Sequence, residues 1–319
     1  MSDVPVLGHE AVLAAVTPAA AIEAVHDAFV DHRRGEWTMP PKTYLDSPPF
    51  GDFRAMPALG GGLAMLKWIS SFPRNPARGL PTVIGVVLLN DAETSEPVLM
   101  LDAGAVTALR TGAVAAVAAR ALAAARASSA GVVGCGVNGA WVGRCLVAAG
   151  FAEGVCTDPR PEKAGVLADE LGAGWRAGSL ADALAQDVVS CVTPGAKPVV
   201  TERDLRPGMH LNLLGADGPG KAEATVGAVA ACALFCDEWS QAAHGGELAG
   251  AVAAGRVTRE QVADLGAVLT GEHPGRGPGD PTTLFDSTGL AIQDLAIARA
   301  ALAAVRAGTV GSETVRLRA

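Results

Sequence analysis

The chain has 319 residues, half of them apolar but only 4% aromatic, and a formal net charge of −8; that length suggests one large domain or two medium ones, with a core packed mainly by Ala, Val and Leu. No Lys/Arg cluster is present, which argues against a nucleic-acid partner. The N-terminus Met1-Ser2-Asp3-Val4 lacks a basic segment followed by an apolar one, and the longest uncharged apolar run near a strand, Ala224–Cys236, is too short to span a bilayer, so the expectation is a soluble, cytoplasmic protein with no membrane contact.

In chain order, Thr17-Pro18 opens a helix, the hydroxyl capping it and the proline taking its first position. Ile22, Val25 and Phe29 mark its apolar face, and Gly35 ends it. From Trp37 to Leu66 the composition turns to Pro, Gly and short polar runs, which reads as hairpin strands joined around Pro48–Gly51. Leu63–Ser71 is a strand that carries Lys67 in an otherwise apolar run, Thr82–Leu89 is a second apolar strand, Asp91–Glu96 is a turn and Val98–Leu101 is a short strand. Ala103 to Arg126 is alanine-rich and predicts one long helix.

The next stretch, Gly131–Gly139, contains Gly134-x-Gly136-x-x-Gly139. In a chain with 39 glycines the pattern alone says little. Its context says more. Val132 and Val133 lead into it, a helix-compatible segment from Ala140 to Ala149 follows, and a second apolar run, Gly154–Thr157, ends on Asp158. An acid at about that spacing completes a dinucleotide-binding βαβ unit. Gly134 would permit the tight turn, Gly136 would let the backbone approach a pyrophosphate, and Gly139 would let helix and strand pack closely. Val137 and Asn138 are expected among the cofactor-binding residues, and the helix N-terminus that follows would supply free N–H groups and a dipole end that favour phosphate. Asp158 would bond the ribose hydroxyls and repel a 2′-phosphate. This predicts NAD, with NADP left open because Arg160 could pair a phosphate.

After Asp158 the pattern predicts a helix at Glu162–Leu171, a weak segment around Trp175, strands at Asp187–Val192, Met209–Leu214 and Ala231–Cys236, a Gly/Pro loop at Gly271–Pro281, and a last helix from near Ser287 to about Arg306. Strands and helices in alternation predict an α/β fold with a doubly wound parallel sheet. The six cysteines form no Cys-x-x-Cys pair and sit in or beside apolar runs, so they read as small buried residues of a reduced compartment.

Four isolated charges are candidates for chemistry. Lys67 must either reach solvent or face a polar cavity. Arg110 stands in the middle of the Ala-rich helix, and Arg54 is alone in a strand. Asp217 lies just past a predicted parallel strand, on the side where such sheets bind ligands. Each also has a plain reading: an edge lysine reaching solvent, a helix-surface arginine, a strand arginine, a turn aspartate before Gly-Pro-Gly.

These residues carry a resemblance. Lys67 to Thr82, Ala108-Leu-Arg-Thr-Gly-Ala113, Gly215-Ala-Asp-Gly-Pro-Gly-Lys221 and Ser287-Thr-Gly-Leu-Ala-Ile-Gln-Asp294 resemble, in order, the signature segments of the ornithine cyclodeaminase/μ-crystallin family. The resemblance implies a substrate-binding and dimerisation domain (1–118 with 290–319) into which a Rossmann domain (119–289) is inserted. It implies Lys67 and Asp217 as catalytic residues and Arg110 as a carboxylate-binding one. Lys42 falls near a position usually held by arginine. Thr111, Thr193 and Thr288 fall where the family contacts the cofactor. Asn138 departs from the Gln or Arg of many relatives. Arg54, two residues before Met56-Pro57, replaces the glutamate of the cyclodeaminases and resembles the archaeal-type alanine dehydrogenases of the family.

The resulting expectation is an NAD-dependent homodimeric oxidoreductase that moves hydride to or from the α-carbon of a small amino or imino acid, with no metal. The alternatives are an ornithine or lysine cyclodeaminase that recycles NAD within one turnover, and a μ-crystallin-like nucleotide-bound ligand-binding protein.

Overall fold

The structure, a computed structural model, describes residues 3–195, 197–218, 220–279 and 282–317. The chain divides into two compact units, Met1–Arg110 with Leu290–Ala319, and Thr111–Gly289.

The first unit begins with β1 (Val4–Leu7), α1 (His9–Ala15) and α2 (Pro18–Arg33). Thr17 caps α2 as its sequence suggests, its hydroxyl accepting from Ala20 N at 3.2 Å. Four antiparallel neighbours follow: β2 (Thr43–Ser47), β3 (Gly51–Gly60), β4 (Leu63–Ser71) and β5 (Val83–Asp91), then β6 (Pro97–Asp102). The helix α3 (Ala103–Leu122) starts where expected but stops four residues earlier than its composition suggested, before Ala123–Arg126. It is long and apolar enough to cross a bilayer, yet 83% of its most apolar window is buried inside the fold, the pattern of a core helix. The break between the units falls after Arg110, inside α3 and earlier than residue 118. One unbroken helix serves both units, so nothing in its sequence marks the change.

The second unit contains β7 (Ser129–Val133), α4 (Val137–Ala148), β8 (Glu153–Thr157), α5 (Pro161–Leu171), β9 (Trp175–Ala177), α6 (Leu180–Leu184), β10 (Val188–Cys191), β11 (Met209–Leu213), α7 (Val226–Ala230) and β12 (Ala233–Cys236). It continues with α8 (Trp239–Gly245), α9 (Ala249–Ala253), β13 (Val262–Asp264), α10 (Leu265–Leu269) and β14 (Thr282–Asp286). The chain then returns to the first unit as α11 (Ala291–Arg306) and β15 (Glu313–Val315).

The second unit's sheet runs β13-β12-β14-β11-β10-β7-β8-β9, with every pairing parallel. The order reverses direction at β7 and β10, which places the topological switch point at the carboxyl ends of these two strands. This is the doubly wound α/β sheet that the alternation of elements predicted. β14 was not read from the sequence. Thr-Thr-Leu-Phe-Asp is short and mixed, yet all five residues are buried between neighbours.

The first unit's sheet runs β15-β1-β6-β5-β4-β3-β2. β4 is therefore a central strand, and its two faces differ. Met65, Lys67 and Ile69 share a face with Met56, Ala58, Val87 and Leu89, all buried, on the side where α11 packs over β3 and β4 and α11 also packs on α2. The opposite face carries Leu66, Trp68, Ile84 and Val86, each 39–45% exposed. All six cysteines are free thiols, five of them buried and Cys232 partly so.

Candidate functional site

In the first unit the sheet's covered face holds the charges. Lys67 is 1% exposed, so it is neither an edge residue nor a side chain reaching solvent. Asp294, in the first turn of α11 and fully buried, brings its Oδ2 to 2.6 Å from Lys67 Nζ and its Oδ1 to 3.6 Å from Arg110 Nε. Lys67 and Asp294 thus form a close, charge-assisted pair, whereas Arg110 Nε makes no hydrogen bond and meets the same carboxylate through charge alone. Burial pushes the Lys67 ammonium down to about 8, against the opposing pull of Asp294, with Arg110 and Arg54 adding to the decrease. Arg54 lies on the same sheet face, opposite Ile69, and donates from Nε to Asp52 Oδ1 at 2.6 Å, with its guanidinium 5.4 Å from the Tyr44 ring centroid. Lys42 precedes the edge strand β2 and is half-buried. Two cations thus face one carboxylate in the Lys67–Asp294–Arg110 group, and the surplus charge suits an anionic group such as a carboxylate.

In the second unit the glycines behave as their spacing requires. Gly134 has φ +99°, and a Cβ there would stand 2.7 Å from Val192 O. A Cβ on Gly139 would lie 1.8 Å from Gly134 O, so only glycine lets α4 sit this close to β7. Gly136 faces open space, with nothing within 4 Å of an added Cβ. It is the N-cap of α4 and offers no side-chain bond, which leaves the first amides of the helix, those of Val137, Asn138 and Gly139, without a helical acceptor. The helix starts three residues before the expected Ala140, which puts those three residues in its first turn. An open cradle beside an uncapped helix N-terminus at the switch point fits a dinucleotide pyrophosphate. Asp158, at the end of β8, accepts from Cys135 N and from Arg160 N, both at 2.9 Å, and from Arg160 Nε at 3.3 Å. The acid therefore ties the glycine loop to the next strand, and the Arg160 guanidinium is held on it.

The remaining expected residues are set by carboxylates that sequence reasoning missed. Glu223 is buried and accepts from Thr193 N at 2.6 Å, Leu214 N at 2.9 Å and Gly215 N at 2.8 Å. It fastens the Thr193 turn after β10 to the loop after β11 that carries Asp217, and burial raises its carboxyl above the usual range. Asp217 itself pairs with Lys221, four residues on in the same loop. Glu247 in turn accepts from Glu223 N and Ala224 N, and burial pushes it up to about 7. At the end of β12, Asp237 accepts from Ser287 Oγ and Thr288 Oγ1, each at 3.1 Å, and from Gly289 N at 2.8 Å. The Thr288 hydroxyl is thus directed to Asp237. Thr111 is buried in α3. Glu223 lies two residues past the Gly215–Lys221 segment and Asp294 closes the Ser287 segment; that adjacency was the available signal for both. Among the described residues, no group of three or more His, Cys, Asp or Glu is placed to hold a metal ion.

Comparison with known proteins identifies the family. A model described as the ornithine cyclodeaminase/mu-crystallin family matches residues 5–308. The chain is 38% identical to the alanine dehydrogenase of Archaeoglobus fulgidus over 97% of each protein. It is 31% identical to the iminosuccinate reductase of Paracoccus denitrificans over 92% of this chain and 94% of that protein. An archaeal alanine dehydrogenase dimer solved with bound NAD superimposes with a TM-score of 0.93 at 37% identity, covering 99% of this chain and 100% of that one.

Proposed function

The chain belongs to the ornithine cyclodeaminase/mu-crystallin family, and from that premise we propose that it is an NAD-dependent dehydrogenase of small amino or imino acids, of the alanine dehydrogenase or ketimine reductase kind. The observation that carries this reading is the buried Lys67–Asp294–Arg110 group, which holds two cations on one carboxylate in the unit that does not bear the nucleotide cradle. When bound, the nicotinamide supplies or accepts the hydride. The backbone of Gly134, Gly136, Val137, Asn138 and Gly139 holds the pyrophosphate and Asp158 the adenosine ribose, with Thr111, Thr193 and Thr288 as further contacts. Arg110 and Arg54 bind the substrate carboxylate, and Lys42 supports them. Lys67, as an ammonium, polarises the carbonyl or iminium of the substrate. Asp217 exchanges the proton, relayed or held by Lys221. We place the protein in the cytoplasm, as suits an enzyme whose free thiols include five buried ones.

The reading is tested by following nicotinamide absorbance with alanine, with pyruvate plus ammonia and with cyclic imino acids. A net change with one of these is expected. Efficient conversion of ornithine to proline with no net change would assign the protein to the cyclodeaminases instead, and no turnover with any substrate would favour a binding role.

Arg54 is expected to set the preference for substrates without a distal cation. Two like charges about 4 Å apart repel by roughly 4 kcal/mol at a surface-like effective dielectric. Asp52 offsets part of that charge, so a preference of about tenfold or more over ornithine or lysine is expected. Arg54→Ala should raise the apparent substrate constant and leave the NADH dissociation constant unchanged. Equal handling of ornithine by the wild-type enzyme would remove Arg54 from this role.

Asp217→Asn keeps the shape of the side chain but cannot exchange a proton at neutral pH. A loss of turnover of about two orders of magnitude is expected, with NADH binding retained. Retention of most of the activity would reduce Asp217 to a turn residue that pairs Lys221.

The chain is also expected to form a homodimer through the exposed apolar face of the first unit's sheet, where Leu66, Trp68, Ile84 and Val86 form a contiguous patch across paired strands. A second copy is the natural occupant, since the archaeal relative is described as a dimer. Sedimentation at micromolar concentration should show a dimer that Trp68→Lys weakens, and a monomeric wild-type protein would count against it.

A further inference from the structure

Among the described residues, Asp294 is the one carboxylate in contact with both the buried Lys67 and the mostly covered Arg110, and it reaches them from a different element than either. Lys67 comes from β4, Arg110 from α3 and Asp294 from the first turn of α11. Each oxygen faces one cation: Oδ2 is 2.6 Å from Lys67 Nζ and Oδ1 is 3.6 Å from Arg110 Nε. Among the described residues, neither oxygen has a partner other than these two cations.

We propose that Asp294 is a positioning residue for the reaction, holding the Lys67 ammonium and the Arg110 guanidinium in place, one on each carboxylate oxygen, so that both present their remaining donors to the substrate. The inference rests on the reading of Lys67 and Arg110 given above. Its physical basis is geometric and electrostatic. Without Asp294, the two cations would face each other in a buried environment with no shared counter-charge, and like charges so placed repel. Lys67 could then relieve the repulsion only by moving or by losing its proton. The 2.6 Å contact with Asp294 takes one of the three donors of the ammonium, so the ion pair fixes the nitrogen and leaves two N–H groups for another acceptor. The charged groups facing Lys67 are Asp294 from α11, Arg110 from α3 and Arg54 from β3; Asp294 alone among them favours the charged form.

The chain has five lysines, Lys42, Lys67, Lys163, Lys197 and Lys221, so the side-chain nitrogen signals of isotope-labelled lysine resolve one by one, with Lys67→Arg giving the assignment. In wild-type protein the Lys67 signal should titrate near pH 8. In Asp294→Asn its midpoint should fall by at least about one pH unit, a tenfold change in the protonation equilibrium, while the NADH dissociation constant stays at the wild-type value. An unchanged Lys67 midpoint in folded Asp294→Asn would overturn the proposal. If Asp294→Asn does not fold, Asp294→Glu is read instead. It keeps the charge and moves it, so the midpoint should stay while kcat with the best substrate of the absorbance test drops about tenfold or more. Wild-type kcat in folded Asp294→Glu would overturn positioning. Lys67→Ala separates this from the functional reading: if it turns over normally, the assignment of Lys67 fails. If it is inactive while Asp294→Asn keeps the wild-type midpoint and rate, only the role of Asp294 fails.

Discussion

Lys67→Met is expected to lower turnover by about three orders of magnitude, within the range of a lost acid–base group, and to leave NADH affinity unchanged. The two effects separate because Lys67 belongs to the first unit and the glycine cradle to the second. Methionine fills the same apolar slot between Met65 and Ile69 but supplies no donor to a carbonyl or iminium. It also breaks a buried ion pair. Removing one partner of such a pair costs about 3–5 kcal/mol when the other is left uncompensated; here Arg110 remains 3.6 Å from Asp294, so the lower end is expected and a melting curve reads it. The pH dependence follows from the same group. Burial lowers Lys67 to about 8, so the ammonium is present below that pH and lost above it. Reductive rates, which need the charged form to polarise the substrate, should fall as pH rises through about 8, and this limb should vanish in the variant's residual activity. A folded Lys67→Met protein with wild-type turnover would leave the lysine with no part in the chemistry.

Gly139→Ala and Gly136→Ala are expected to fail in different ways, and the pair separates folding from binding. The alanine methyl at 139 would meet Gly134 O at 1.8 Å, an overlap with backbone that no rotamer relieves. α4 must move off β7, which overpacks the βαβ unit by about 1–3 kcal/mol or more and displaces the cradle as well. Both the melting temperature and NADH binding should drop. The methyl at 136 meets nothing within 4 Å, so the protein should melt as the wild type does. It would occupy the space proposed above for the pyrophosphate, and NADH binding alone should weaken. Calorimetry and fluorescence titration of the two variants check this. Wild-type NADH affinity in Gly136→Ala would mean that the open face at the start of α4 is not the phosphate site.

The βαβ unit around the glycine turn was legible in the sequence because its parts are local. β7, the glycine turn, α4 and β8 follow one another within a short stretch, and the short connections with right-handed crossover leave one way to pack them. The three glycines each answer a constraint set within that stretch, and Asp158 is tied to Cys135 just across the first strand pair. Lys67 stood out for a similar reason, as one charge in an apolar strand. What the strand's own residues could not say was whether β4 lies at an edge or in the middle of its sheet. Side-chain alternation shows which residues share a face, and only strand order decides whether that face is covered. β4 has β3 on one side and β5 on the other, and α11 closes over it, so the lysine is buried. The partner of that lysine comes from α11 at the far end of the chain, and no spacing rule reaches across the whole second unit to connect them. Glu223 and Asp237 were hidden for the same reason. Each is an ordinary acid in a loop or at a strand end until the fold places backbone amides from separate segments around it. Local pattern thus determined the elements, the cradle and the identity of the charged candidates. Tertiary packing decided which charges are desolvated and which meet, because burial and ion pairing depend on distances between segments that the chain brings together only when folded.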